Sequence, residues 1–188
     1  MLNIIAGSLS VGVTPSTSSY ESIATVTVGS GGQSTITFSS IPATFKHLQI
    51  RVLARTTTAT SFDAILLRYN SDTGANYATH TLLGTGTAVV AAGEASITKN
   101  YLDKAAGANL NNNVFAGIVA DVLDYSSTTK YKTLRTLGGV DNNGSGVVHF
   151  SSGLWQNTNA VSSIFLQPLN GGDFAQYTSI ALYGIKGA

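Results

Sequence analysis

The feature that most constrains this chain is an apolar alternation of period two, broken at short intervals by clusters of Gly, Asn, Asp and Ser. Over residues 22–28, Ala24, Val26 and Val28 share one face while Ile23, Thr25 and Thr27 share the other. Further on, Leu48, Ile50, Val52 and Ala54 oppose His47, Gln49, Arg51 and Arg55. Successive side chains of a strand point to opposite faces, so each such segment is a ribbon with one side for a core and one for solvent. Strand-like stretches recur at residues 64–69, 77–83, 97–102, 114–123, 130–137, 147–154, 161–169 and 177–185, and helical spacing never persists for ten residues. The expected fold is all-β, an antiparallel β-sandwich or jelly roll.

Turn chemistry sharpens the reading. Residues 70–74, 141–144 and 170–172 carry Asn, Asp and Gly, which tolerate the positive φ of tight reversals. Gly29, Gly31 and Gly32 supply a reversal after residues 22–28, and the alternation of 35–38 then suggests a hairpin. Residues 85–94 and 105–113 are rich in Ala, Gly and Asn and are expected as long loops. Residues 1–19 form an extended arm and linker, ending in a Ser/Thr tract, and the β domain occupies 20–188. The arm has no Lys or Arg and so lacks the positive segment of a secretion signal, and we expect it in the mature protein.

Composition narrows the function. At 188 residues the chain has room for one full core. Charged residues are 10% of it, while 44 residues are Ser or Thr, so hydroxyls build the polar surface. Ten Lys and Arg against nine Asp and Glu leave no electrostatic footprint for nucleic acid or an anionic membrane, and neither partner is expected. With no Cys there is no thiolate ligand or thiol nucleophile. His47, His80 and His149 fall in three separate strands without local metal spacing, so no metal or cofactor is expected. His47 and His149 are expected as partly exposed strand residues. Gly29-Ser30-Gly31 and Gly144-Ser145-Gly146 lack the five-residue nucleophile elbow and read as turns, so no catalytic residue is assigned. Sugar sites combine an aromatic platform with amide hydrogen bonders, and Tyr69, Asn76, Tyr77, Trp155 and Asn157 are the candidates for one on outer loops; the competing reading makes Trp155 a core side chain.

Several segments carry a resemblance. They are Tyr20-Glu21-Ser22-Ile23-Ala24-Thr25-Val26-Thr27-Val28-Gly29, Ile36-Thr37-Phe38-Ser39-Ser40-Ile41-Pro42 and Lys46-His47-Leu48-Gln49-Ile50-Arg51. Leu67-Arg68-Tyr69-Asn70, Asn76-Tyr77, Gly153-Leu154-Trp155, Val161-Ser162-Ser163-Ile164, Asn170-Gly171-Gly172-Asp173-Phe174 and Ala181-Leu182-Tyr183-Gly184-Ile185 follow. In this order the chain resembles tailed-bacteriophage virion proteins of the tail-fibre, head-fibre and capsid-decoration kind. The resemblance implies a non-enzymatic β module on the virion surface, made in the host cytoplasm and acting as a dimer or trimer. Its first partner would be the major capsid protein or another virion protein, docked through Leu2, Ile4, Ile5 and Leu9 of the arm. The alternative is a tail-fibre or receptor-binding module whose partner is host surface glycan.

Overall fold

The computed structural model describes residues 18–187. The arm residues Leu2, Ile4, Ile5 and Leu9 therefore lie outside the described residues. Twelve strands follow in chain order: β1 (Tyr20–Thr27), β2 (Ile36–Phe38), β3 (His47–Ala54), β4 (Phe62–Tyr69), β5 (Tyr77–Gly84), β6 (Val89–Ile97), β7 (Asn100–Ala106), β8 (Ala116–Leu123), β9 (Lys132–Asp141), β10 (Gly146–Trp155), β11 (Ile164–Pro168) and β12 (Ser179–Ile185). All strand pairs are antiparallel, in an eight-stranded sheet of order β1-β12-β3-β8-β9-β10-β5-β6 and a four-stranded sheet of order β2-β11-β4-β7. The chain is an all-β sandwich.

The strand order contains a simpler object. Taken without β5, β6, β9 and β10, the sheets are β1-β12-β3-β8 over β2-β11-β4-β7, the pairing of two Greek keys wound into a jelly roll. The hairpins β5–β6 and β9–β10 are insertions that lengthen one sheet by four strands past β8. The small sheet thus covers only part of the large one.

The core forms where the alternation puts it. Leu48, Ile50, Val52 and Ala54 of β3, Ile118, Ala120 and Val122 of β8, and Ile180 and Leu182 of β12 face Ile65, Leu67, Ile164 and Leu166 of the small sheet in one buried cluster. Each of the larger side chains contributes about 1.5–3 kcal/mol by leaving water. Turn residues fall where expected: Asn70, Asn143, Gly144 and Gly171 all have positive φ.

Two expectations need correction. The reversal at Gly31 and Gly32 does not make a hairpin, because β1 pairs with β12 and β2 pairs with β11 in the other sheet. It is a corner that carries the chain between layers. Residues 85–94 are not a long loop either. A two-residue turn closes at the Thr85 N–H to Ala88 C=O bond of 2.9 Å, and β6 then pairs with β5 over its whole length. Ala and Gly are weak strand formers, and here the ladder to β5 supplies what their side chains do not.

Candidate functional site

Three of the five residues singled out for sugar binding come together, but in the core. Tyr69, Tyr77 and Trp155 are fully buried, and their rings lie 5.3 Å (Tyr69–Trp155), 6.3 Å (Tyr77–Trp155) and 6.4 Å (Tyr69–Tyr77) apart. Tyr77 and Trp155 are direct partners across β5 and β10, which is why the ladder brings them side by side. Asp72 closes the cluster. Its carboxylate accepts hydrogen bonds from Trp155 Nε1 (2.7 Å), Asn76 Nδ2 (3.0 Å) and the Gly74 N–H (2.8 Å). Burial pushes the Asp72 carboxyl up, but the bonds from Trp155, Asn76 and Gly74 outweigh it and hold the group below the ordinary carboxylate range. Burial also raises the Tyr77 phenol, to about 12. Asn157 is half-buried and its side chain accepts the Asn159 N–H, 2.9 Å away. The expectation of an aromatic platform on outer loops is therefore corrected: the rings face inward and offer no surface to a sugar.

His149 is also placed otherwise than expected. It is buried on the inner face of β10, with Nδ1 2.8 Å from Oδ1 of a fully buried Asp103 on β7. Neither His149 Nδ1 nor Asp103 Oδ2 is aligned for a hydrogen bond, while Asp103 Oδ1 accepts the Lys104 N–H at 2.6 Å. Gly138 makes room for the carboxylate, because a Cβ there would collide with Asp103 Oδ2. Both side chains line a cavity of about 310 Å³ with Thr79, Thr81, Val90 and Tyr101. An imidazole steered by a carboxylate is the positioning half of acid–base machinery. The nearby Ser151 hydroxyl, however, bonds Thr136 Oγ1 at 2.5 Å rather than the imidazole. Among the described residues no three His, Asp or Glu gather as metal ligands.

The third feature is the outer face of the large sheet. Register aligns Val119, Leu137, Phe150 and Leu82 as direct neighbours across β8, β9, β10 and β5, and Ala91 of β6 continues the row. All four large side chains are exposed, Leu137 by 58%. The next row is Leu53, Gly117, Gly139, Val148, Gly84 and Val89, again without charge. Its missing side chains open onto a cavity of about 460 Å³ between Val148, Phe115 and the turn at Gly144. A monomer's largest exposed apolar patch usually spans a few hundred Å², and such patches mark contact surfaces.

No protein-family model, no curated protein and no solved structure matches this chain. The site must be read from its own geometry. Sequence reasoning missed the outer face although its signal was present: Leu134 and Leu137 in β9, and Val147 and Val148 in β10, stand at opposite parity. Apolar residues on both faces of a strand mean that both faces are to be covered.

Proposed function

We propose that this protein is a non-enzymatic structural component of a virus particle, of the capsid-decoration kind. The arm attaches it to the shell through Leu2, Ile4, Ile5 and Leu9, and the sandwich sits outside. The observation that carries the reading is the apolar row of Val119, Leu137, Phe150 and Leu82, exposed across four neighbouring strands. It supports a protein that works against other protein, whereas the buried Asp103–His149 pair ties β7 to β10 and so has a structural use already. The sequence resemblance to phage virion proteins supplies the kind of assembly. Binding the assembled shell and not its separate subunits would favour the assembled state by mass action.

Removal of residues 1–13 tests this. Particles assembled without the protein are mixed with the full chain or the shortened one and sedimented. The full chain is expected to co-sediment at a fixed stoichiometry, and the shortened one to lose at least tenfold in occupancy. Equal occupancy overturns the arm. Binding of the full chain to host cells but not to particles would favour the receptor-binding reading instead.

A further inference from the structure

Among the described residues the sandwich has four edge strands, and three of them are blunted. β1 carries a bulge between Ser22 and Ala24, β2 is three residues long, and β7 combines a bulged register against β4 with Lys104. These are the devices by which sheets avoid pairing with other chains. β6 is different. It runs nine residues, Val-Val-Ala-Ala-Gly-Glu-Ala-Ser-Ile, with neither Lys nor Pro, and its only irregularity is a register shift toward its C-terminal end. Residues 89–96 are exposed, Val89 by 74%, although Val90, Ala92 and Glu94 also line the cavity shared with Tyr101 and Lys104. Antiparallel bonding alternates from the Thr85–Ala88 closure, which turns Val90, Ala92 and Glu94 toward β5 and leaves the N–H and C=O of Val89, Ala91 and Gly93 directed outward.

We infer that β6 pairs with β6 of a second copy of this chain, antiparallel about a two-fold axis at Ala92, so that two eight-stranded sheets become one. Charge narrows the register. A two-fold at Gly93, the middle of the strand, would put the two Glu94 carboxylates on a diagonal about 7 Å apart. A two-fold at Glu94 would put them face to face. Moving the axis to Ala92 sets each Glu94 against Val90 of the other copy and each Ala91 against its Gly93. The outward groups of Ala91 and Gly93 then meet as hydrogen-bonded pairs. In this register Ala91, at the end of the apolar outer row of one copy, abuts Gly93 of the other, whose row runs on through His80, Ser152 and Arg135. A two-fold contact of this kind closes on itself and stops at two copies. The pairing is independent of which larger assembly the protein joins, and a dimer that failed to bind particles would leave it standing.

The chain has no cysteine, so one introduced thiol is an unambiguous reporter. Directly opposed residues on antiparallel strands have Cα atoms about 4.5–5.5 Å apart, within the span of a disulfide. In the full chain, Ala92→Cys is expected to form a disulfide-linked dimer under mild oxidation at least tenfold faster than Ser152→Cys, an exposed position away from the edge. Sedimentation equilibrium of the unaltered protein should show a concentration-dependent dimer, and Ala92→Lys, which opposes two ammonium groups at the axis, should weaken it at least tenfold. Cross-linking of the Ala92→Cys variant no faster than that of the Ser152→Cys variant overturns the inference. So does a monomer in which the thiol of Ala92→Cys resists a thiol reagent, which would mean that residues 1–17 cover the edge. A dimer abolished by Leu137→Ser and untouched by Ala92→Lys would place the contact on the sheet face and overturns it equally.

Discussion

The two halves of the large sheet differ most in what the centres of their strands turn inward. In the jelly-roll half, β3 and β8 turn Ile50, Val52, Ile118 and Val122 inward, and outward they mix Gln49, Arg51 and Asp121 with the exposed Leu53 and Val119. The outer groups are satisfied there: Gln49 Nε2 donates to Asp121 Oδ1 at 2.9 Å, and Arg51 Nε donates to Gln49 Oε1 at 2.9 Å. In the inserted half the pattern is inverted at the centre of the strands. β5, β9 and β10 turn Thr79, Thr136, Ser151 and His149 inward while Leu82, Leu137, Val148 and Phe150 face outward. A one-residue slip would exchange these sets, so something must fix the register. The strand ends do, with Tyr77, Leu134 and Trp155 packed in the main cluster and Val140 and Val147 in a smaller one. Glycines reinforce it at the centre, since a Cβ at Gly153 or Gly138 would strike Asn100 or Asp103. The lesson is that the first half packs its apolar side chains inward, while the second leaves many of them exposed.

The comparison is broken most severely from the side of the core. Trp155→Ala removes the ring on which Tyr69, Tyr77 and Asp72 converge, and is expected to cost about 3–5 kcal/mol in urea unfolding. A loss under about 1 kcal/mol would show that the inserted half is not anchored there.

Next in size is the polar seam. His149→Leu leaves Asp103 buried without its partner and should cost about 3 kcal/mol, while the double variant His149→Leu/Asp103→Leu should recover most of that loss. Non-recovery in the double variant would mean that the pair contributes more than the relief of two buried polar groups.

The third effect depends on pH. Asp72 titrates below its ordinary range in the folded chain, so its contribution is present above the unfolded carboxylate pKa and is lost as pH falls through the lower folded value. The chain has one Trp, hydrogen-bonded to that carboxylate, so Trp fluorescence reads the change directly. A transition below about pH 4 is expected, and Asp72→Asn should remove it at a cost of about 1 kcal/mol. A transition above the ordinary carboxylate range would contradict the hydrogen-bonded account.

Smallest of all is the outer face. Leu137→Ser and Phe150→Ser should change unfolding free energy by no more than about 0.5 kcal/mol, because these side chains are exposed in the single chain. A loss of several kcal/mol would place them in a core.

Much of this architecture was legible because period two is imposed wherever one face packs on the core: Leu48, Ile50, Val52 and Ala54 of β3 are all buried where alternation set them. On the other face only Gln49 is buried, by its bonds to Asp121 and Arg51. Turns were legible because positive φ selects Asn and Gly. What escaped depended on partners far away in the chain. The corner at Gly31 and Gly32 looks like a hairpin turn because the local chemistry of the two is the same, and only β12 and β11 decide between them. β6 escaped because its strand character comes from β5 and not from its own Ala and Gly. Trp155 and Tyr77 looked like a platform because an aromatic beside amides has the same local sequence in a core as on a surface, and Asp72, whose carboxylate turns Trp155 Nε1 inward, lies far upstream. His149 carried no hint of its partner, since Asp103 reaches it across the sandwich.

Residue-resolved amide hydrogen exchange, run on dilute and on concentrated protein, tests the division most directly. The account predicts that the amides of β3, β8 and β12 exchange slowly and equally in both samples, while those of Val89, Ala91 and Gly93 exchange freely when dilute and become protected when concentrated. Equal exchange of the three β6 amides at both concentrations, or gains in protection spread through the jelly-roll half, would contradict it.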